Sequence, residues 1–482
     1  MNTQTDTNVN PAAKPRLKIS ENPILNCDSY KITHWMFLEE NTTYSTSYVE
    51  ARAGAKFDET VFFGLQYLLQ TDNFLPVFTK EMVDQAEEVL TGHGVPFNRA
   101  GWDVIVNEFG GRLPIRIKAV KEGMVIPVSN ALITVESTDP RFNSAWASSY
   151  IETPLMRTWY PTTIATLSRE IKKVIFEALL ESGDETQADM KLVDFGARGV
   201  SCFEQAQIGG AAHLINFQVT DNLLGMTMLM DEYGDGTTLP AFSIPATEHS
   251  VTTSWGRSRE FFFYNNIVDN ILPKTGICSV VIDTYDTFKA IEMFGKLRDK
   301  IEKNGTIVFR PDSGDPVEMT ERVLLALDEQ FGSEVNEKGY KVLNPCARII
   351  QGDGVDLDSV KAILDNFMRL GYSADNITFG SGGALLQKSN RDTMRFAMKA
   401  SNVQVDGQER DIQKVPATDI TKASKKGKLD TVRNTVTGEV RTINQHQAMD
   451  DNEESILEVV YENGNVLRRQ DWAEIRELAK VA

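Results

Sequence analysis

Residues 278–316 read CSVVIDTYDTFKAIEMFGKLRDKIEKNGTIVFRPDSGDP. The fully apolar run CSVVI (278–282) ends at Asp283, and DTFKAIEMFGKLRDKIEK (286–303) then places its apolar residues at helical spacing. A second apolar run, GTIVF (305–309), ends at Arg310 and Asp312. Short strands that are apolar on both faces are buried on both faces, and a helix between two of them makes them parallel. The same rhythm extends outward. KLVDF (191–195), HLINF (213–217) and AFSI (241–244) precede the stretch, and ARII (347–350) and NITF (376–379) follow it, with DLDSVKAILDNFMRLG (356–371) as a further helical interval. Seven such runs predict an α/β protein built on a closed, irregular βα barrel rather than an open sheet.

The flanks read differently. LPIRIKAVKEGMVIPVSNALITVES (113–137) alternates apolar and polar residues around Gly and Asn breaks, which predicts a small antiparallel sheet. NTVTGEVRTI (434–443) and VVYENGNVLRR (459–469) each put a Gly turn between β-branched runs, the pattern of a hairpin. The expected organisation is a disordered tail over 1–20, a discontinuous β-rich domain formed by 21–150 with 395–482, and a barrel domain over 151–394.

A chain of 482 residues is long enough for roughly two or three domains. Its 41% hydrophobic and 24% charged residues are ordinary for a globular enzyme. The formal charge of −18 argues against nucleic-acid or anionic-membrane partners, both of which require a broad basic surface. Cys27, Cys202, Cys278 and Cys346 show no CxxC spacing, so neither a zinc knuckle nor a disulfide framework is indicated. The N-terminal MNTQTDTNVNPAAKPRLK lacks an apolar signal-peptide core, and no apolar run approaches the roughly 18 residues of a membrane span. A cytoplasmic location is expected.

The polar residues concentrate just after the strands: Arg198, Asp221, Glu248 with His249, Asp283, Arg310 with Asp312, and Asp353. In a βα barrel these positions converge on the face where the C-terminal ends of the strands open. SIPATEHS (243–250), which carries one of only five histidines, is therefore a rim segment. Two glycine loops join it. ITFGSGGALLQ sets Gly380, Gly382 and Gly383 before an apparent helix start, and IIQGDGVD flanks Asp353 with Gly352 and Gly354; bare backbone there can approach a phosphate. Neither loop has the spacing of a dinucleotide fingerprint or a P-loop. Arg310 is a fork-shaped donor, Asp312 an acceptor for ribose hydroxyls, and Phe195 a stacking surface beside Arg198. SNRDTMRFAMK contributes Arg391, Arg395 and Lys399 on what reads as a basic helical stretch, and SKKGK (424–428) is a second basic cluster. The inventory suits a phosphorylated sugar beside a planar base.

Together NCDSYKITH, VDFGARGVS, VTDN, IPATEHS, VIDTYD, RPDSGDP, IQGDGVD and FGSGGALLQKSNRD resemble, in wording and order, the nicotinamide phosphoribosyltransferase family of type II phosphoribosyltransferases, from about residue 22 to the C-terminus. The resemblance implies an α/β barrel beside a β-rich domain, and a homodimer whose active sites draw residues from both chains. It implies transfer of a phosphoribosyl group from 5-phosphoribosyl 1-diphosphate to nicotinamide, with Mg²⁺ as cofactor and ATP as co-substrate acting through a phosphorylated histidine. By matching motif, Phe195 and Tyr30 of a second copy would sandwich the pyridine ring. Asp221 would accept from the carboxamide, with Ser243 and Arg310 in the same site. Asp312, Gly352 and Asp353 would hold the ribose, and Gly382 and Gly383 the 5′-phosphate. Arg391 and Lys399 of a second copy would meet phosphates, and Arg198 would lie near the diphosphate. His249 matches the phosphorylated histidine, oriented by Glu248 and Asp283. No metal ligand is assigned. Ala197, Ala384 and Ala397 depart from the family pattern and bear on phosphate and inhibitor affinity. The competing readings are a nicotinate phosphoribosyltransferase, which Asp221 disfavours by repelling a carboxylate, and a non-catalytic signalling relative.

Overall fold

The computed structural model describes residues 17–71, 74–140, 144–417 and 423–481. Most of the expected N-terminal tail, residues 1–16, lies outside the described residues; the tail's end does not read as disordered, because Ile19–Glu21 forms a turn of 3₁₀ helix.

Five parallel strands are hydrogen-bonded in the order Leu192–Asp194, Ile377–Ser381, Ala347–Gln351, Thr306–Arg310 and Ile277–Val281. Single parallel bridges carry the ring on from there: Asp194 to Thr220, Val219 to Phe242, and Ala246 to Ser279. The seven staves thus close a barrel, regular along five strands and irregular along two. One expected strand is misplaced. HLINF is not a stave, because 213–214 finish the helix Phe203–Leu214 and the stave proper is 219–220. AFSI contributes only the bridge at Phe242. An apolar run of this length fits a buried helix end as well as a strand, and periodicity alone does not separate them.

The helices between staves begin on purpose-built caps. Asp286 accepts from the Lys289 N–H, Asp315 from Val317 and Glu318 ahead of Pro316, and Asp356 forms a capping box with Ser359. These carboxylates are committed to helix starts, which separates them from the neighbouring acids at the mouth. Each helix then lays an apolar face on the barrel; in Leu357–Arg369 it is Val360, Ile363, Leu364 and Phe367.

The second region is a seven-stranded antiparallel sheet in the order Gln408–Asp411, Ala397–Val405, Thr42–Glu50, Ala131–Ser137, Ile115–Ala119, Glu458–Glu462 and Asn465–Val466. Thr42–Glu50, an interior strand, pairs with Ala397–Val405, so distant parts of the chain share one sheet. Both predicted hairpins form. The stretch 389–399 is not helical: it turns, and Lys399 then lies on the strand Ala397–Val405. This sheet covers its own core, centred on Trp102, Trp146 and Tyr150. The buried helix Trp159–Ser182 holds the two-stranded ribbon of Glu59–Val61 and Val125–Pro127, Thr162 and Thr166 accepting from the backbone N–H groups of Phe63 and Val61 at 3.2 and 3.0 Å. The helix Trp472–Leu478 joins the barrel core through Ile475, and Arg476 and Lys172 close on Asp189 at 2.7 and 2.6 Å. Among the described residues no helix is long and apolar enough to cross a membrane.

Candidate active site

A cavity of about 260 Å³ opens inside the barrel between Phe195, Asp221, Phe242, Ser243 and Arg310. Phe195 leaves the end of Leu192–Asp194, and its backbone N–H donates to Ser381 O at 2.9 Å. Its ring lies so close over Gly380 that any Cβ there would overlap it. Gly380, expected with the phosphate loop, thus seats the Phe195 ring. Asp221 follows the stave 219–220 and is exposed to the cavity, where Ser243 donates its hydroxyl to Oδ1 at 2.5 Å. The helices on either side, Phe203–Leu214 and Leu223–Glu232, cross where Gly210 and Gly225 touch; a Cβ on Gly225 would stand 2.6 Å from Gly210 backbone atoms. That close crossing holds the loop bearing Asp221.

Arg310 ends its strand with one guanidinium nitrogen donating to Thr247 O at 3.0 Å, while its buried Nε has no partner among the described residues. Gly352 lies beside Phe195, Arg310 and Asp312, each within 3.5 Å of a Cβ built on it. Burial holds the Asp312 carboxyl above its usual range, with Asp283 and Asp353 adding to the effect and Arg310 and His249 opposing it. The loop carrying Asp353 is fixed by Gln351, whose amide donates to Asp353 O at 2.7 Å.

His249 opens the helix His249–Trp255. Its Nε2 meets Asp283 Oδ1 at 2.9 Å, and Ser313 donates to Asp283 Oδ2 at 2.6 Å. The other ring nitrogen stands 3.9 Å from Asp312 Oδ2. In the tautomer that donates from Nε2, Nδ1 keeps its lone pair and faces the mouth. Glu248 does not orient this ring; its carboxylate accepts from the Ser250 hydroxyl, and Asp312 is the second acid beside the imidazole.

Gly382 and Gly383 begin the short helix Gly383–Leu386, whose first N–H groups have no intrahelical partner. Arg198 is exposed at the rim. Tyr30, Arg391 and Lys399 do not line the cavity of their own chain. Tyr30 is 58% exposed and Arg391 points outward beside Asp392. Lys399 is pulled down, first by burial; Glu152 opposes this, and the neighbouring charges of Arg52, Lys31 and Lys414 add to it. Those three cations cluster with Lys399 around Glu152, which pairs with Lys31 and offsets part of their charge. Sequence reading registered only runs of basic residues and missed Arg52, Lys31 and Lys414, which are scattered along the chain and come near Lys399 only in the fold.

Residues 190–465 match the nicotinate phosphoribosyltransferase (NAPRTase) family, and residues 22–117 match the nicotinamide phosphoribosyltransferase N-terminal domain. The chain is 47% identical over 469 residues to the nicotinamide phosphoribosyltransferase of Xanthomonas campestris pv. campestris, covering 96% of this chain and 99% of that one. It is 29% identical to the enzyme of that name from Acinetobacter baylyi, over 95% and 96% of the two chains. The fold is shared with nicotinate-nucleotide pyrophosphorylase from Pyrococcus furiosus, at a TM-score of 0.63 and 15% identity over 98% and 97% of the two chains. It is also shared with human nicotinic acid phosphoribosyltransferase, at 0.53 and 13% over 94% and 92%. An irregular seven-stave barrel with an adjoining antiparallel sheet, matched over nearly its whole length, makes this chain a member of the nicotinate phosphoribosyltransferase family, in the part of it that carries the nicotinamide phosphoribosyltransferase N-terminal domain.

Proposed function

We propose that the protein transfers the 5-phosphoribosyl group of 5-phosphoribosyl 1-diphosphate to nicotinamide, forming nicotinamide mononucleotide and diphosphate in NAD salvage. The observation that carries this reading is the carboxylate of Asp221 facing a cavity walled by Phe195 and Arg310. An anionic acceptor there suits a carboxamide N–H and repels nicotinate. The pyridine nitrogen is a neutral nucleophile, so no general base is required. Its lone pair forms the bond to the anomeric carbon as the C–O bond to diphosphate breaks, and the electron pair leaves with diphosphate. Positive charge then grows on the ribose near Asp312 and Asp353, which are in place beforehand.

Arg198 at the rim, and Arg391, Lys399, Arg52 and Lys414 of a second copy, would meet the phosphates; Tyr30 of that copy would close the second face of the ring. Gly382 and Gly383 would bring bare backbone to the 5′-phosphate. Among the described residues no group of three His, Cys, Asp or Glu side chains could hold a metal ion alone. Mg²⁺ would accordingly be held largely by diphosphate oxygens, with Asp283 or Asp312 at hand, and would neutralise leaving-group charge. His249, with Asp283 on Nε2, presents Nδ1 for attack on the γ-phosphorus of ATP, ADP leaving with the electron pair.

The test is purified protein supplied with 5-phosphoribosyl 1-diphosphate and either nicotinamide or nicotinate, with and without ATP. Mononucleotide is expected from nicotinamide in strong preference, and more of it with ATP; equal or greater use of nicotinate would overturn the assignment. For the shared site, mixing inactive Asp221→Ala protein with inactive Arg391→Ala protein should restore activity in heterodimers, each carrying one intact site. Mixed dimers that form and stay inactive would refute sharing.

A further inference from the structure

One buried carboxylate touches both segments that carry the ring-binding side chains. Asp194 has no exposed surface. Its Oδ1 accepts the Gly196 N–H at 2.6 Å, immediately after Phe195, and its Oδ2 accepts Asn222 Nδ2 at 2.9 Å, immediately after Asp221. Its backbone carbonyl accepts the Asp221 N–H at 3.1 Å. Asn222 has no freedom to turn away, since Nδ2 also donates to Ala206 O at 2.8 Å and Oδ1 accepts the Gly225 N–H at 3.3 Å. The two segments therefore hang from the two oxygens of a single carboxylate.

We propose that Asp194 is a positioning residue that sets the separation between Phe195 and Asp221, and that loss of its negative charge loosens the nicotinamide subsite; this rests on the roles given to those two residues under the proposed function. Ionised, Asp194 offers four lone pairs to two donors, and both bonds are charge-assisted. Protonated, it must aim an O–H at one of two groups that are themselves donors, so one tether is lost. Burial first of all, with Asp221 assisting, pushes its carboxyl up to about 6 against the bonds from Asn222 and Gly196. The change of state therefore falls within reach of an ordinary assay. The groups bearing on it from the surrounding elements are Asp221, on the neighbouring stave, and the Tyr160 hydroxyl, from the helix Trp159–Ser182; the latter is pushed above its usual range, chiefly by burial, and stays neutral in this window. The strand Ile377–Ser381 and the helix Gly383–Leu386 present Ser381 and Leu386, which carry no charge.

The measurement is KM for nicotinamide and, separately, KM for 5-phosphoribosyl 1-diphosphate in the native enzyme and in Asp194→Asn from pH 5 to 8. In the native enzyme the nicotinamide KM should rise at least about tenfold as pH falls through 6, while the other KM moves less than about threefold. The amide introduced by Asp194→Asn keeps an acceptor for Gly196 but turns an N–H₂ toward the N–H₂ of Asn222. The variant should hold a raised nicotinamide KM at pH 8, by at least about tenfold, and lose the dependence on pH. A merely structural role would lower stability or active fraction without splitting the two KM values. A flat native profile overturns the proposal, and so does a variant that keeps the native profile, since Asp221 remains in it. If Asp194→Asn does not fold, the native profile decides alone. Failure of the proposed reaction is a separate outcome, visible as absence of mononucleotide at every pH.

Discussion

Replacing His249 with Ala should abolish acid-labile phosphate incorporation from γ-labelled ATP while leaving slow, ATP-independent synthesis of nicotinamide mononucleotide. Asp283 holds Nε2 at 2.9 Å and is itself held by Ser313 at 2.6 Å, so the imidazole is fixed with Nδ1 facing the mouth. A carboxylate on one nitrogen fixes the tautomer and raises the basicity of the other, as a nucleophile needs. In the proposed glycosyl step that nitrogen has no part. Removal of the ring therefore separates the two activities instead of extinguishing both. ATP-dependent phosphate release should fall below about one hundredth of the native rate if His249 is the group that attacks ATP. Undiminished labelling of His249→Ala would assign the phosphate to another residue.

The second large effect concerns choice of base. Asp221 receives the Ser243 hydroxyl at 2.5 Å and keeps its carboxylate on the cavity that Phe195 and Arg310 line. A charge-assisted bond from the carboxamide to this carboxylate is worth roughly 1.5–3 kcal/mol. Facing nicotinate, the same group would meet a like charge in a partly desolvated pocket. Asp221→Asn removes the repulsion, supplies a donor and weakens the bond to nicotinamide, so both changes act in one direction. The ratio of kcat/KM for nicotinamide over nicotinate should fall by at least about tenfold, or 1.4 kcal/mol. A folded variant with an unchanged ratio would transfer the discrimination to Arg310, a charged side chain lining the same cavity.

The barrel and most of its mouth were legible in the chain, for a local reason. A strand buried on both faces must be apolar throughout, and the residue that follows it must sit at the strand's end, so CSVVI–Asp283 and GTIVF–Arg310 announce both the stave and the site. The same locality explains where the reading failed. HLINF is as apolar as a strand because it ends a buried helix, and the stave that follows, 219–220, is held by single bridges that leave no periodic trace. The stretch 389–399 carries charges at helical intervals, yet strand pairing with Thr42–Glu50 prevails over that pattern.

Roles decided by contacts between distant residues could only come from the tertiary structure. Glu248 is adjacent to His249 in the chain but bonds Ser250, while Asp283 and Asp312, more than thirty residues away, stand against the imidazole. Arg52, Lys31 and Lys414 gain meaning only beside Lys399, a proximity that the fold alone creates. Asp194 reads in the sequence as the last residue of a strand. One oxygen meets Gly196 locally, two residues on, but the other reaches Asn222 only because the parallel bridge to Thr220 sets the staves side by side. Sequence determines which chemistry is present at each strand end; closure of the barrel determines which of those groups touch.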